Sequence, residues 1–175
     1  MISALCLDDT QFKQIVSNSV SSVFHTMLNL SIEMRGVSAL DCDGAPVDFV
    51  PLTSTGEMLV VGNVGIVGRL TGMVYLYMTQ SFATRIAARM LGMTEAEVEE
   101  DELINDVIGE LSNMVVGQFK NQLDERGYAC RLTIPSILRG SNFVVEPVRS
   151  AERQVFYFKC GDDNIAYDIL MKAGE

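Results

Sequence analysis

Glu110 and Asn113 are the two side chains of this sequence whose types and spacing best suit a reaction. Wound at about 100° per residue, their segment puts Leu103, Ile104, Val107, Ile108, Leu111, Met114, Val115 and Phe119 on one broad arc that must face a core. Asp106, Glu110, Asn113 and Gly117 fall within about 60° of one another on a different arc, a narrow stripe facing outward. Glu110 supplies an anion that can grip a cation on a partner. Asn113, one turn on, supplies an amide that both donates and accepts hydrogen bonds. Gly117 has no side chain to obstruct approach, and Asp106 is either a surface acid suited to the helix dipole or a further docking group. An amide fixed on a rigid helix can hold a water in line with a phosphorus atom, the task of the positioning glutamine in GTPases. Such a helix needs no general base, because it provides orientation while metal and phosphoryl group come with the partner. The same Glu-x-x-Asn spacing recurs at Glu102 and Asn105, so spacing alone does not single out the pair.

Other chemistries fit the sequence poorly. GNVGIVG at 62–68 spaces its glycines by three, which is neither a dinucleotide fingerprint nor a phosphate loop, and reads as strand-turn glycine. A Ser-His-Asp or Cys-His enzyme would depend wholly on His25, the single histidine, which sits on an apolar-faced helix with no acid within a turn. Cys6, Cys42, Cys130 and Cys160 are scattered without a CxxC pair, and read as reduced cysteines rather than a zinc or redox site. Thirteen basic residues against 23 acidic ones give a net charge of −10, which repels phosphate backbones and anionic lipid. The reading is therefore no nucleic acid and no membrane, and a cationic surface on another protein as the favoured partner. The opening MISALCLDDT lacks a basic region and does not read as a secretory signal, which points to a cytoplasmic protein.

The elements that must position the stripe follow from length and pattern. With 175 residues, 48% hydrophobic, the chain can hide roughly 70% of its unfolded surface and form one domain over 1–175. After Asp8-Asp9-Thr10, Phe12, Ile15, Val16, Val20, Val23, Phe24, Met27 and Leu30 recur at helical spacing. The charge-free run Gln14 to Ile32 is part of this amphipathic helix, not a membrane span. Residues 35–51 hold turn signals between short β-prone runs, and 58–78 read as two strands or one long bent one. A second helix runs from about Ser81 to Leu91 and stops at Gly92, with Phe82, Ile86, Ala87, Met90 and Leu91 inward. An acidic segment at 94–102 then leads into the longest helix, roughly Glu102 to Leu123, with Gly127 as its stop. Beyond it ACRLTIPSI, NFVVEPV, QVFYFKC and NIAYDILMKA read as strands, the last two joined as a hairpin.

The run Asp106-Val-Ile-Gly-Glu110-Leu-Ser-Asn113-Met-Val-Val-Gly117-Gln-Phe-Lys120 closely resembles the signature helix of the CheX family of chemotaxis phosphatases, relatives of CheC and of the flagellar switch protein FliM. Gly72-Met-Val-Tyr-Leu-Tyr-Met, the helix ending in Leu91-Gly92, and Leu132-Thr-Ile-Pro135-Ser-Ile-Leu-Arg-Gly140 look like the family too. The resemblance implies a CheC-like α/β fold of mixed α+β type, in which internally duplicated helix-plus-strands units pack long helices on a mainly antiparallel sheet. It implies hydrolysis of the aspartyl phosphate of a CheY-type response regulator, Glu110 pairing with the regulator's lysine and Asn113 positioning the attacking water. It also implies no cofactor of the chain's own, Mg2+ supplied by the receiver, and a homodimer. The first helix carries Ser17, Asn18, Ser19, Ser21 and Ser22 but no Glu three before an Asn, which favours a single-motif, CheX-like protein. The competing reading is a non-catalytic module that binds a receiver without hydrolysing anything.

Overall fold

The computed structural model describes residues 7–40, 56–98, 100–141, 143, 145 and 151–174. Helix α1 (Asp9–Leu28) opens on a capping box in which Asp8 accepts from the Gln11 backbone N–H and Gln11 accepts from the Asp8 backbone in return. It buries Phe12, Ile15, Val16, Val20, Val23 and Phe24 as its spacing predicts, while Leu28 takes the inward place expected of Met27, which is exposed. Strands β1 (Glu33–Leu40), β2 (Leu59–Gly68) and β3 (Leu70–Thr79) follow, so the run at 58–78 is two antiparallel strands. Helix α2 (Gln80–Leu91) is capped by the Thr79 hydroxyl and stops at Gly92, whose φ of 68° suits a residue without Cβ. Phe82, Ile86 and Ala87 point inward as expected, Met90 is half-buried, and Leu91 is exposed because the helix overhangs the core at its last turn.

A 3-10 turn at Glu95–Glu97 and the first turn of α3 (Asp101–Asp124) carry most of the acidic segment, Asp101 and Glu102 sitting at the positive end of the helix dipole. The chain leaves α3 through Gly127, at φ 86°, and runs into β4 (Cys130–Leu132), β5 (Ser136–Gly140), β6 (Glu152–Cys160) and β7 (Asp163–Ala173). The expected strand over ACRLTIPSI is broken at Thr133-Ile134-Pro135 into β4 and β5, both antiparallel to β2. Of NFVVEPV, Phe143 and Val145 lie in no strand and the rest lies outside the described residues, as do Cys6, Cys42 and the turn signals at 41–51. The β6–β7 hairpin is present as read.

All seven strands form one antiparallel sheet in the order β1-β6-β7-β3-β2-β4, with β5 continuing β4 along β2. Exchanging β1 with β4–β5, β2 with β6 and β3 with β7 turns that order into its own reverse. The duplicated helix-plus-strands architecture is therefore real, and it is interlaced: each half gives its outer strand to the other half's sheet.

The three helices cover one face, where Phe119 packs edge to face with Phe12 and Tyr167, and Phe156 lies tilted against Phe12. Gln122 of α3 bridges to α1, its amide donating to the Ile15 carbonyl and the Ser19 hydroxyl. Gly62 sets how close α3 comes to the sheet. A Cβ there would stand 2.8 Å from Ser112 Cβ and closer still to its Oγ. Of the glycines of 62–68, Gly68 ends β2 at the turn into β3 as the strand-turn reading has it, while Gly62 and Gly65 lie inside β2 and serve close approach. Gly62→Ala should cost about 1–3 kcal/mol by chemical denaturation, and Ser112→Gly in the same chain should recover much of it.

Candidate functional site

Helix α3 is held at both ends, which is what fixes the direction of its outward stripe. At its start Arg139 of β5 donates to Asn105 Oδ1 (2.7 Å), to Gln80 Oε1 (2.6 Å) and to the Asp101 carbonyl (3.2 Å), and pairs with the Asp101 carboxylate at 2.8 Å. At its end Asp124 accepts from the Cys130 backbone N–H and pairs with Lys120 at 2.5 Å, and that ammonium holds the Asp124 carboxyl below its usual range. Between these anchors Ile104, Val107, Ile108, Leu111, Val115 and Phe119 are buried as the periodicity requires. Leu103 and Met114 sit half-buried at the border of the arc, and Gly109, Ser112 and Val116 are buried as well.

The stripe lies where its spacing puts it. Asp106 and Glu110 are exposed, and Asn113 and Gly117 are half-exposed beside them. None of the Asp106, Glu110 and Asn113 side chains is engaged by another group among the described residues. The second Glu-x-x-Asn differs from the first at Arg139: the Asn105 amide oxygen accepts from that guanidinium and is tied to the start of α3, whereas Asn113 is unengaged among the described residues. A Cβ on Gly117 would meet nothing within 4 Å, so the fold has no packing need for glycine in this helix, where it costs about 1 kcal/mol relative to Ala.

A shallow groove of about 540 Å³ runs alongside, between α3 and β5, lined by Asn105, Asp106, Gly109, Glu110, Pro135, Ser136 and Ile137. Sequence reasoning placed Glu110 and Asp106 on the stripe but did not join them to Pro135–Ile137 or to Arg139. The signal was the Leu132–Gly140 stretch, noticed as a likeness without a role.

A larger cleft of about 1030 Å³, between α2 and the β6–β7 turn, is less suited to chemistry. Its arginines are spent, Arg85 on Asp163 and Arg89 on the Leu28 and Asn29 carbonyls at the end of α1. Burial and the nearby Asp163 push the Cys160 thiol up, away from the reactive thiolate. Among the described residues no three His, Cys, Asp or Glu side chains gather as a metal site, and no helix is long and apolar enough to cross a membrane.

The family model described as chemotaxis phosphatase CheX matches residues 60–159, more than half of the chain. The Thermotoga maritima CheY-P phosphatase CheX is 25% identical over 134 residues, covering 76% of this chain and 80% of that protein. The crystal structure of the chemotaxis protein CheX from Desulfovibrio desulfuricans superposes with a TM-score of 0.73 at 20% identity, over 92% of this chain and 99% of that one. The Borrelia burgdorferi CheX of a CheX–CheY–BeF3–Mg2+ complex superposes with a TM-score of 0.67 at 20% identity, over 92% and 97%. The matched region takes in β2 to β6 and the whole of α3 with its outward stripe, and the chain belongs to the CheX family of chemotaxis phosphatases.

Proposed function

We propose that this protein hydrolyses the aspartyl phosphate of a CheY-type response regulator, with Glu110 gripping the regulator's lysine and Asn113 positioning the attacking water. The observation that carries the reading is the unengaged carboxylate and amide standing side by side on the outward stripe of an α3 tied down at both ends. The Thermotoga maritima relative is a CheY-P phosphatase, and a structural neighbour is a complex with CheY, beryllium fluoride and magnesium, which supports a receiver as partner.

In this mechanism water attacks phosphorus in line with the bond to the aspartyl oxygen. That P–O bond breaks, the receiver's carboxylate leaves with its electron pair, and inorganic phosphate is released. The magnesium ion belongs to the receiver. This chain supplies orientation: the Asn113 amide can accept from the water and donate to a phosphoryl oxygen, while Glu110 fixes the approach by an ion pair. Asp106 and Gly117 line the docking face, the one as an acid and the other by leaving room. We assign the whole chain, 1–175, to one cytoplasmic domain acting as a homodimer.

The test mixes the protein with a phosphorylated CheY-type receiver and Mg2+ and follows phosphate release. Wild type should accelerate it. Glu110→Ala should chiefly raise the concentration needed for half-maximal rate, by about 10-fold or more, as loss of a charge-paired contact would. Stoichiometric binding with no acceleration across several receivers would make the protein a non-catalytic binding module.

A further inference from the structure

We propose that Ile134 is a docking residue, an apolar knob on the rim of the α3–β5 groove that seats the receiver so that its phosphate reaches Asn113. The inference rests on the reading that the stripe acts on a receiver, and it adds a specificity-bearing contact from a different element.

Ile134 is 90% exposed, whereas the other exposed large apolar side chains among the described residues run from 37% to 53%. A lone exposed apolar residue on a loose loop would mean little. This one is held firmly. The Thr133 N–H donates to the Gly65 carbonyl at 2.9 Å, the Gly65 N–H donates to Thr133 Oγ1 at 2.8 Å, and Ser136 Oγ bonds Asn63 Oδ1 at 2.9 Å. Gly65 is glycine because a Cβ would come within 2.8 Å of Thr133 Cγ2. Pro135 fixes the backbone on the other side. With its neighbours pinned to β2, Ile134 has less conformational freedom to lose when something covers it.

Its position names the occupant. Pro135, Ser136 and Ile137, the next three residues, line the groove that also holds Asp106 and Glu110. A partner gripping Glu110 by a cation therefore has this apolar rim beneath its flank, an apolar contact beside an ionic one. A second copy adding a strand here fits less well. The edge made by β4 and β5 is three and five residues long and is interrupted by the Thr133–Pro135 bulge, where Pro135 has no N–H to give.

The experiment compares wild type, Ile134→Ser, Ile134→Leu and Gly109→Ala. Binding is read by titration with a beryllofluoride-activated receiver, and turnover by single-turnover phosphate release. Ile134→Ser should weaken binding and raise the half-maximal concentration by about 10-fold, with the maximal rate within about twofold of wild type, while Ile134→Leu stays near wild type. Gly109→Ala meets nothing within 4 Å in this chain, so it should keep or raise the melting temperature yet weaken binding by narrowing the groove. Receiver binding by Ile134→Ser equal to wild type overturns the inference. So does a variant that loses self-association but binds receiver normally, which would turn Ile134 toward a second copy. Binding that depends on Ile134 without any acceleration of hydrolysis would uphold the docking surface and sink the phosphatase reading.

Discussion

Asn113→Ala should yield a folded protein that still engages a phosphorylated receiver but releases phosphate at least about 100-fold more slowly than wild type. The size follows from what is lost. The proposed chemistry uses no base or nucleophile of this chain, so the rate gain must come largely from holding one water on the line of attack. Misplacing a reactant by about 1 Å costs about that factor. Folding does not confound the test, because Asn113 is half-exposed and Ala is the better helix former. The signature is a fall in maximal rate at saturating protein with the half-maximal concentration little changed, the reverse of the Glu110→Ala and Ile134→Ser patterns. Asn113→Asp, of the same shape but charged, should be no more active, since its carboxylate repels the phosphoryl oxygens it has to approach. Undiminished activity in Asn113→Ala would remove the mechanism.

The largest stability effect should come from the other face of the sheet. Arg153 and Asp168 are buried there, 2% and 0% exposed, with Arg153 Nε donating at 2.9 and 3.1 Å and a terminal nitrogen at 2.6 Å. The Tyr77 hydroxyl adds a longer bond to Asp168 at 3.4 Å, and Arg153 reaches the Val145 carbonyl at 3.0 Å. Burial pushes the Asp168 carboxyl up and the guanidinium opposes it. Removing the acid alone strands a cation in an apolar layer of Leu59, Val61, Tyr77, Val155 and Ala166. Asp168→Ala should therefore cost about 3–5 kcal/mol, or about 10 °C of melting temperature in a chain of this size. Replacing both partners together, as Arg153→Met with Asp168→Leu, should recover most of the loss, since two apolar groups leave no orphan charge. A single variant as stable as wild type would show that the guanidinium finds water. Because the pair lies across the sheet from α3, whatever fraction stays folded should keep its catalytic rate.

The contrast between these two sites explains what could be read from the sequence. The Glu110–Asn113 stripe was legible because a helix converts spacing into direction: once Ile104, Ile108, Leu111 and Val115 must point inward, the angle of Asn113 is fixed. The bounds of α2 and α3 came out within a residue for the same reason, the Gly92 stop included, whereas α1 ends at Leu28 and leaves Leu30 and Ile32, read as part of it, outside. Met27 and Leu91 were misread because periodicity assumes core along the whole helix, and both lie near helix ends. Contacts between residues far apart in sequence left no local trace. Nothing near Gly62 announces that Ser112 will press on it, and nothing near Asp168 names Arg153 rather than another cation. The break at Thr133–Pro135 was visible as a proline, but that it brings Pro135, Ser136 and Ile137 alongside α3 depends on the register with β2.

The exchange of outer strands between the two halves bears on how the molecule assembles. Strand β1 finds its partner β6 only after more than a hundred intervening residues have been made, and β2 waits for β4 and β5 from beyond α3. Closing such wide loops costs entropy before any pairing rewards it, so folding should be slow and strongly cooperative rather than stepwise from one end. A fragment cut between α2 and α3 would expose β2 and β3 along flanks their own half does not cover, and should aggregate or borrow strands from a second fragment instead of standing alone.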